Sequence, residues 1–282
     1  MEKKLPDWIK VKSFDRKKYS ETLDLIDKNK INTVCIEANC PNRYECFSKK
    51  TATFMILGKT CTRNCAYCNV KHGKPEAIDE KEPKRTAEAV KKLKLKYAVI
   101  TCVTRDDLKD GGASQFVKTV NEIREINPKC KIELLISDLD GNLNALKKII
   151  DLKPEVINHN IEIVKELFKD MRPNGKYERS IELLRQIKKI NPKIKTKSGL
   201  IVGLGEKKEQ IIETINDLRE AGCDILTISQ YLQPSEKHAK IKNFYTPKEF
   251  NEFANIGKSI GFLHVESGPM VRSSYHAGEY SE

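Results

Sequence analysis

Six of the nine cysteines lie between residues 35 and 68, in two groups of unlike spacing. The first triplet is Cys35, Cys40 and Cys46, spaced CxxxxCxxxxxC. The second triplet is Cys61, Cys65 and Cys68, spaced CxxxCxxC. Thiols this close together cannot all form good disulfides with one another, whereas thiolates suit zinc or iron, and groups of three or four favour iron–sulfur clusters. Each triplet is one ligand short of four. The sequence therefore predicts two metal sites, and an iron held by only three protein sulfurs keeps one coordination position open for substrate or cofactor.

Length and composition predict one large domain, with two domains as the alternative, and a place in the cytoplasm. The chain has 282 residues, 39% of them hydrophobic, which is enough for a sizeable core. No apolar run approaches the roughly 20 residues that cross a bilayer, and residues 1–12 have neither signal-peptide nor transit-peptide character. Thiols stay reduced in the cytoplasm, so we expect the clustered cysteines to be ligands rather than disulfides.

The charge balance is basic and has three interpretations. Fifty-two Lys and Arg against 40 Asp and Glu give a formal charge of +12. The excess is compatible with binding to nucleic acid, with an acidic protein substrate or electron donor attracted by the field, or with a lysine-rich surface that has no partner. Charge alone does not separate these three.

After residue 50 the sequence alternates short apolar runs with helical patterns. Six runs are typical of strands buried in a parallel sheet: 53–57, 97–103, 131–136, 155–158, 196–202 and 224–228. Helical spacing predicts helices at 116–123, at 211–218 and, opened by Pro247, at 247–260. This order predicts an α/β fold with a parallel sheet, either doubly wound or a partial barrel. In both, the site gathers at the carboxyl ends of the strands, and Cys61 follows the first strand by four residues.

Residues at both ends of the chain do not follow this alternation of strand and helix patterns. The first triplet precedes the first strand, in a stretch with Pro41 and several polar residues that a metal could order. We therefore divide the chain into a loop-rich N-terminal extension (1–50), an α/β unit (51–266) and a C-terminal extension (267–282). The last of these contains Arg272-Ser273-Ser274-Tyr275.

The second triplet, with aromatic Tyr67 before its last cysteine, resembles the CxxxCxΦC signature of the radical S-adenosylmethionine superfamily. The resemblance implies a six-stranded parallel (β/α)6 partial TIM barrel. It also implies that three thiolates hold three irons of a [4Fe-4S] cluster, while S-adenosylmethionine chelates the fourth through its amino and carboxylate groups. A structural zinc loop is the alternative, which the uneven spacing and the absent fourth ligand disfavour.

The rest of the chain is similar to the lipoyl synthase family within that superfamily, over about residues 30–278. The similarity is carried by the first triplet and by these segments: CPNRYECF, TATFMILG, CTRNCAYC, HGKP, ITCVTRDDLKDGGASQF, VINHNIE, KSGLIVGLGE, TISQYLQPS and RSSYHA. It implies a sulfur-insertion enzyme with two [4Fe-4S] clusters and S-adenosylmethionine, which adds sulfur at C6 and C8 of an octanoyl chain. The first triplet, completed by a serine of RSSY, would hold an auxiliary cluster that donates this sulfur. We assign Ser274, with Ser273 as the alternative.

The resemblance also indicates cofactor contacts and a catalytic group. Tyr67, Asp106, Asn158 and Lys197 are predicted to bind the cofactor, and Arg272 is predicted to act in catalysis. Polar residues after strands often only cap helices, and the glycines of residues 197–206 by themselves indicate turns. His276 follows the serine motif and could help to position it. The remaining cysteines match no cluster spacing and are predicted to be buried small hydrophobic residues: Cys102, Cys130 and Cys223.

The implied partners are octanoylated lipoyl domains of 2-oxoacid dehydrogenase complexes or the glycine-cleavage H protein, and a ferredoxin- or flavodoxin-type electron donor, with no membrane or nucleic acid. Two other functions compete. A methylthio-transferase acting on RNA would suit the basic charge, but the first triplet and the RSSY segment favour the lipoyl pattern. A non-catalytic zinc-binding nucleic-acid module would use the cysteines structurally.

Overall fold

The structure is a computed structural model and describes residues 5–280. Its centre is a parallel sheet of seven strands, hydrogen-bonded in chain order from β1 to β7. The strands are β1 (Thr53–Ile56), β2 (Tyr97–Cys102), β3 (Lys131–Leu135), β4 (Val156–Asn158), β5 (Lys195–Val202), β6 (Ile225–Gln230) and β7 (His264–Gly268). The predicted α/β parallel fold is confirmed, and all six predicted strands are present within a residue or two of their predicted bounds.

The helices pack on the outside of this sheet. They are α1 (Arg16–Lys28), α2 (Val34–Glu37), α3 (Arg43–Ser48), α4 (Glu82–Lys92), α5 (Ala113–Ile126), α6 (Leu143–Asp151), α7 (Phe168–Met171), α8 (Tyr177–Ile190), α9 (Lys208–Glu220) and α10 (Pro247–Ser259). The predicted helices correspond to α5, α9 and α10. Their apolar faces are fully buried, as Phe116 and Ile215 illustrate, and Thr246 caps α10 in a capping box with Glu249.

The seventh strand, β7, extends the six strands that the sequence predicts. It pairs with β6 through the register Leu226 to Val265 and is largely half-exposed. The boundary predicted between residues 266 and 267 falls inside this strand. β1 and β7 are the two edges of the sheet, and the chain before β1 covers the β1 edge, where Met55 N–H donates to the Asn32 carbonyl (2.8 Å). The N-terminal extension is more ordered than its composition predicts, since it holds α1, α2 and α3.

Side chains that point into the barrel form layers. Because strand residues alternate between faces, positions two apart share the interior. One layer is polar: Glu133 accepts hydrogen bonds from Lys197 (3.1 Å), Asn158 (3.1 Å) and Tyr97 (2.8 Å). Glu133, Lys197 and Asn158 are fully buried. We call this set the polar floor. The next layer towards the carboxyl ends has small residues such as Gly199 and Thr227, which leave space above the floor.

No helix in residues 5–280 has both the length and the apolar character that a transmembrane span requires.

Candidate iron–sulfur and cofactor site

One cavity of about 480 Å³ contacts both cysteine triplets. All six cysteines line it, and all are free thiols. Its walls are interior positions of the strands, including Met55, Thr101 and Ile201, and its volume lies in the usual range for ligand pockets. The cavity also reaches the C-terminal extension at residues 272–275. The fold therefore brings together the two triplets and the serine motif, which lie in three separate parts of the sequence.

Backbone hydrogen bonds hold the second triplet at the carboxyl ends of the strands. Cys61 N–H donates to the Lys71 carbonyl (2.8 Å), which closes the loop on itself. Thr62 N–H donates to the Thr104 carbonyl beyond β2 (3.0 Å), and Ala66 N–H donates to the Met171 carbonyl at the end of α7 (2.9 Å). These backbone hydrogen bonds fix the cysteine loop from both sides.

Arg63, between the first two cysteines of this loop, forms the strongest anchor. Its guanidinium makes bidentate hydrogen bonds to Asp106 (2.8 and 2.8 Å) and to Asp138 (2.9 and 2.7 Å). Arg63 and Asp138 are almost fully buried. Burial alone would raise the pKa of Asp138, but the hydrogen bonds and the charge of Arg63 outweigh it and hold the pKa at about 2. One cation therefore ties the cysteine loop to the segments that follow β2 and β3.

A second loop covers the other side of the second triplet. Ala239 N–H donates to the Ala66 carbonyl (2.8 Å). The imidazole Nε2 of His238 lies 3.1 Å from the Cys68 carbonyl, and its Nδ1 lies 2.9 Å from the Ser235 hydroxyl. The His238 ring therefore bridges the Ser235 hydroxyl and the cysteine loop.

Short helices position the first triplet beside β1. Thr33 caps α2 by accepting from Ile36 N–H, which places Cys35 in the first turn of that helix. Cys40 N–H donates to the Cys35 carbonyl (3.1 Å), so the two thiols belong to one tight turn. Cys46 lies in α3.

The C-terminal extension lies across this triplet. Asn42, the residue before α3, donates to the Met270 carbonyl (2.7 Å). Asn160 Nδ2 donates to the Ser273 hydroxyl (3.2 Å). Ser274 also lines the cavity, and no hydrogen bond within residues 5–280 occupies its hydroxyl. Arg272 is half-buried; desolvation lowers its pKa although the nearby Cys40 opposes the change. Both serines line the cavity, and the assignment of Ser274 as the ligand stays a prediction.

Burial raises the pKa of four of the six triplet thiols, those of Cys35, Cys46, Cys65 and Cys68. Burial raises the pKa of Cys35 to about 11 and that of Cys46 to about 12, and neighbouring thiols add to both shifts. Burial also raises the pKa of Cys68 to about 12. Burial raises the pKa of Cys65 too, against the charge of Arg172 and a hydrogen bond with Tyr67. Crowded thiols of this kind become thiolates when cations bind them, since ligation displaces the protons.

The donor set fits clusters. Within residues 5–278, no three Cys, His, Asp or Glu side chains converge on a point where one metal ion would sit. A [4Fe-4S] cluster does not need that convergence, because each thiolate binds a different iron.

The cavity also offers polar groups suited to a bound nucleoside. Asn160 Oδ1 is buried and has no hydrogen-bond partner within the described chain. A Cβ atom at Gly199 would lie only 2.8 Å from this oxygen and 3.0 Å from Thr227 Oγ1, so glycine keeps this part of the cavity open. An unsatisfied buried acceptor is costly unless a ligand or water donates to it. The residues therefore fit S-adenosylmethionine, which carries hydroxyl and amino donors.

Three predicted cofactor contacts lie outside the cavity lining. Both oxygens of Asp106 accept from Arg63. Asn158 and Lys197 face the barrel interior but belong to the polar floor, one layer below the cavity. Their contact with the cofactor stays a prediction; the geometry gives them positioning and structural roles. Tyr67 and Arg272 do line the cavity. Of the other cysteines, Cys130 and Cys223 are buried, and Cys102 lines the cavity.

Sequence reasoning did not single out three residues that line the cavity: Asn160, Glu162 and Arg172. Glu162 has a left-handed backbone (φ +69°), unusual for a residue with a side chain. Burial raises the pKa of its carboxyl, against the charge of Arg172 and a hydrogen bond with Asn160. Arg172 donates to the Asn160 and Ile161 carbonyls (3.2 and 2.9 Å). The available signal was the run of polar residues in VINHNIE just after a buried strand.

Solved structures define the fold, and a family profile defines the class of protein. HydG, a maturase of the [FeFe]-hydrogenase, aligns over 93% of this chain and 74% of its own, with a TM-score of 0.58 and 13% identity. Methylornithine synthase aligns over 89% of this chain and 76% of its own, with a TM-score of 0.55 and 14% identity. At such identities the likeness shows the fold alone. The sequence profile of the Radical SAM superfamily matches residues 55–218. The protein is a radical S-adenosylmethionine enzyme.

Full-length relatives narrow this class to a family. The chain is 49% identical to a lipoyl synthase of Caldicellulosiruptor saccharolyticus over 99% of this chain and 98% of that protein. It is 52% identical to one of Halalkalibacterium halodurans (97% and 91%) and 50% identical to a mitochondrial lipoyl synthase of Nematostella vectensis (98% and 94%). The chain belongs to the lipoyl synthase family. Its cofactors are accordingly S-adenosylmethionine and [4Fe-4S] clusters; because relatives of more than one compartment match, the cytoplasm stays a prediction.

Removing the Arg63 anchor should destabilise the metal-free protein. Arg63→Met leaves Asp138 buried with only Arg179 (3.3 Å) as a cationic partner. We expect the free energy of unfolding in urea to fall by about 3 kcal/mol, since breaking a buried ion pair leaves an uncompensated charge. Arg85→Met, which removes the exposed pair with Asp79 (2.7 Å), is the matched control and should cost no more than about 1 kcal/mol. Equal losses in the two variants would contradict the anchoring role.

The stability of the metal-free protein should also fall as the pH drops from 7 to 5, through His159. This imidazole is buried, with Nδ1 2.9 Å from the Ile136 carbonyl and Nε2 2.9 Å from Ser180. Burial, assisted by the charge of Arg172, lowers its pKa to about 4. The stabilisation is complete above the unfolded pKa of about 6.5 and is lost towards pH 4, by about 2 kcal/mol at pH 5. Denaturant unfolding at both pH values should show a smaller difference in His159→Gln; an unchanged difference would assign the effect elsewhere.

Proposed function

We propose that this protein inserts two sulfur atoms, at C6 and C8, into an octanoyl chain carried in amide linkage on a lysine of a partner protein, and so forms the lipoyl group. The observation that carries the proposal is the cavity lined by two complete cysteine triplets together with Ser274. The triplets come from different structural elements, one from a loop fixed to the barrel and one from the N-terminal extension. Two separate clusters facing one space suit a reaction with two separate inorganic roles.

The second triplet would hold the cluster that works with S-adenosylmethionine. When bound, this pair supplies one-electron chemistry able to remove hydrogen from an unactivated carbon. Asn160, with its unpartnered Oδ1, and Glu162 would orient the nucleoside from the wall of the cavity that follows β4. Arg172, almost fully buried behind them, fixes the backbone of that wall. These residues would bind and orient the cofactor and would exclude water from it.

The first triplet and Ser274 would hold the cluster that is the sulfur donor, which makes this cluster a substrate of the reaction. A serine oxygen is a hard ligand beside soft thiolates. We infer that the iron bound to it is the one released when the cluster gives up sulfur.

The octanoyl chain needs an apolar path between the two triplets. Val34, Met55, Val103, Leu135 and Ile201 line the cavity and provide that surface. A methylene group has no acidic proton and no electrophilic atom, so side-chain acid–base catalysis has nothing to act on. The lining therefore has to position carbon atoms by packing.

The proposed partners are an octanoylated lipoyl domain of a 2-oxoacid dehydrogenase complex or the glycine-cleavage H protein, and a ferredoxin- or flavodoxin-type electron donor. Exposed cations flank the second triplet: Lys71 and Lys74 follow it, and Lys237 and Lys240 lie on the loop that covers it. With a net charge of +12, these lysines would attract an acidic partner.

Substitutions in the two triplets should separate cofactor cleavage from sulfur insertion. Reconstituted without oxygen, the protein should contain about eight iron and eight sulfide, as two [4Fe-4S] clusters require. With S-adenosylmethionine, a strong reductant and an octanoyl-lysyl peptide, we expect 5′-deoxyadenosine and a peptide with two added sulfurs, measured by mass spectrometry. Cys40→Ala should form the nucleoside but insert no sulfur, because only the donor cluster is lost. Cys65→Ala should do neither.

The control is Cys223→Ala, which removes a buried cysteine far from either triplet in the sequence and should retain both reactions. Normal dithiolane from Cys40→Ala would refute the sulfur-donor assignment. Colourless protein that contains zinc would refute the function as a whole.

The two neighbouring serines provide a separate test. Ser274→Ala should lower sulfur insertion by at least roughly 100-fold, more than the loss of an outer partner of a ligand usually costs, with cofactor cleavage retained. Ser273→Ala removes the hydroxyl that Asn160 donates to and should cost roughly tenfold or less. For both variants, sulfur insertion is measured as the sulfur content of the peptide per turnover. The opposite order would make Ser273 the ligand.

A further inference from the structure

Three segments distant in sequence meet at the phenol of Tyr275. Lys12 Nζ donates to the Tyr275 hydroxyl (2.8 Å), which in turn donates to Glu45 Oε2 (2.8 Å). Lys49 Nζ occupies the other carboxylate oxygen of Glu45 (2.7 Å). The Glu45 side chain is only 9% exposed, so its charge is shielded from solvent by these partners.

Glu45 and Tyr275 each adjoin a predicted cluster ligand in the sequence. Glu45 directly precedes Cys46 of the first triplet, and Tyr275 directly follows Ser274. The hydrogen bond between them closes the C-terminal extension over that triplet. A second bond, from Asn42 to the Met270 carbonyl (2.7 Å), fixes the extension on the other side of the serines. Residues 271–274 are therefore held at both ends by the helix that carries Cys46 and the residue before it.

We propose that Glu45 and Tyr275 are positioning residues that hold Ser274 over the first triplet while no cluster is present there. This inference rests on the proposed function, in which the cluster is consumed and must be rebuilt. Once the cluster is gone, nothing inorganic ties the extension down, and an extension without contacts to the rest of the fold would disperse over many conformations. A tyrosine hydroxyl donating to a carboxylate is a charge-assisted bond, stronger than a neutral one. It keeps the fourth ligand at high effective concentration for the incoming cluster.

Lys12 contributes less than Glu45. Its side chain is 63% exposed, and exposed cations add little to such contacts. The proposal accordingly concerns the pair Glu45 and Tyr275, and Lys12 serves as a comparison within the same network.

The first experiment measures the position of the extension without any cluster. Trypsin cuts after Arg272, which is half-buried while the extension is docked. In the metal-free full chain, Tyr275→Phe should release the peptide 273–282 roughly tenfold faster, as expected from the loss of one charge-assisted hydrogen bond in a region that opens locally. Glu45→Ala should act like Tyr275→Phe. Glu45→Gln, which keeps an acceptor without the charge, should lie between these variants and the parent protein.

The matched control is Tyr177→Phe. Tyr177 donates to the carboxylate of Asp217 (2.7 Å) between α8 and α9, so this variant removes the same kind of bond at another place. Its cleavage rate after Arg272 should equal that of the parent, as should that of Lys12→Met to within about twofold. If Tyr275→Phe is cleaved no faster than Tyr177→Phe, the proposal is overturned.

The second experiment measures the first cluster alone. In a Cys61→Ala, Cys65→Ala, Cys68→Ala background, only the first triplet can hold iron. Here Tyr275→Phe should lose iron to a chelator roughly tenfold faster than Tyr177→Phe, with the cluster's Mössbauer signature otherwise unchanged. Ser274→Ala should change that signature, because a ligand is replaced.

The two experiments separate failure of the proposal from failure of the proposed function. If Ser274→Ala leaves both signature and iron loss unchanged while Tyr275→Phe still speeds cleavage after Arg272, the docking contact stands and the ligand assignment is wrong. If Ser274→Ala alters the signature while Tyr275→Phe changes neither cleavage nor iron loss, the ligand assignment stands and the positioning role is wrong.

Discussion

A buried guanidinium with two carboxylates is the interaction on which the site depends. Arg63 lies inside the cysteine loop, and its partners Asp106 and Asp138 follow different strands. The cysteine loop has few apolar side chains, chiefly Tyr67 and Val70, so packing alone holds its shape weakly. The four hydrogen bonds from Arg63 fix the loop to the barrel at an orientation set by the planar guanidinium. The thiols are thereby placed before any metal arrives, so that less ordering remains to be done on binding.

The interior layers of the barrel explain why chemistry lies where it does. In the polar floor, the buried Lys197 neutralises the charge of Glu133, and Asn158 and Tyr97 donate to the same carboxylate, which closes the barrel below the cavity. Above it, Gly199 and Thr227 have too little volume to fill the barrel. A TIM-type barrel normally packs its interior with branched side chains. Here the small residues of one layer leave the space that the cofactor and substrate need.

The sequence predicts the strands well and the depth of interior residues poorly. Continuous apolar runs such as residues 97–103 identify strands that are covered on both faces. β7, with Val265 as its one buried residue, lies at the edge of the sheet and has no such run.

Alternation assigns Asn158 and Lys197 to the interior face, but it does not say at which layer they lie. Asp106 is predicted to bind the cofactor from its position after the second strand. Its partner in the structure is Arg63, 43 residues earlier, and no local pattern indicates that contact. The six cysteines, by contrast, were identified by type and spacing alone, since few other roles suit clustered thiols in one reduced chain.

The two triplets differ in how the fold supports them, and the difference matches their proposed fates. The second triplet is anchored by backbone bonds to Thr104 and Met171 and by a buried ion pair, as suits a cluster that persists through many turnovers. The first triplet lies on short helices against β1. The C-terminal extension closes over it through the hydrogen bond from Tyr275 to Glu45. Contacts of this kind open locally at lower free energy than the core does. A cluster that must be lost and replaced needs such an opening, whereas a cluster that stays bound is better held by a rigidly anchored loop.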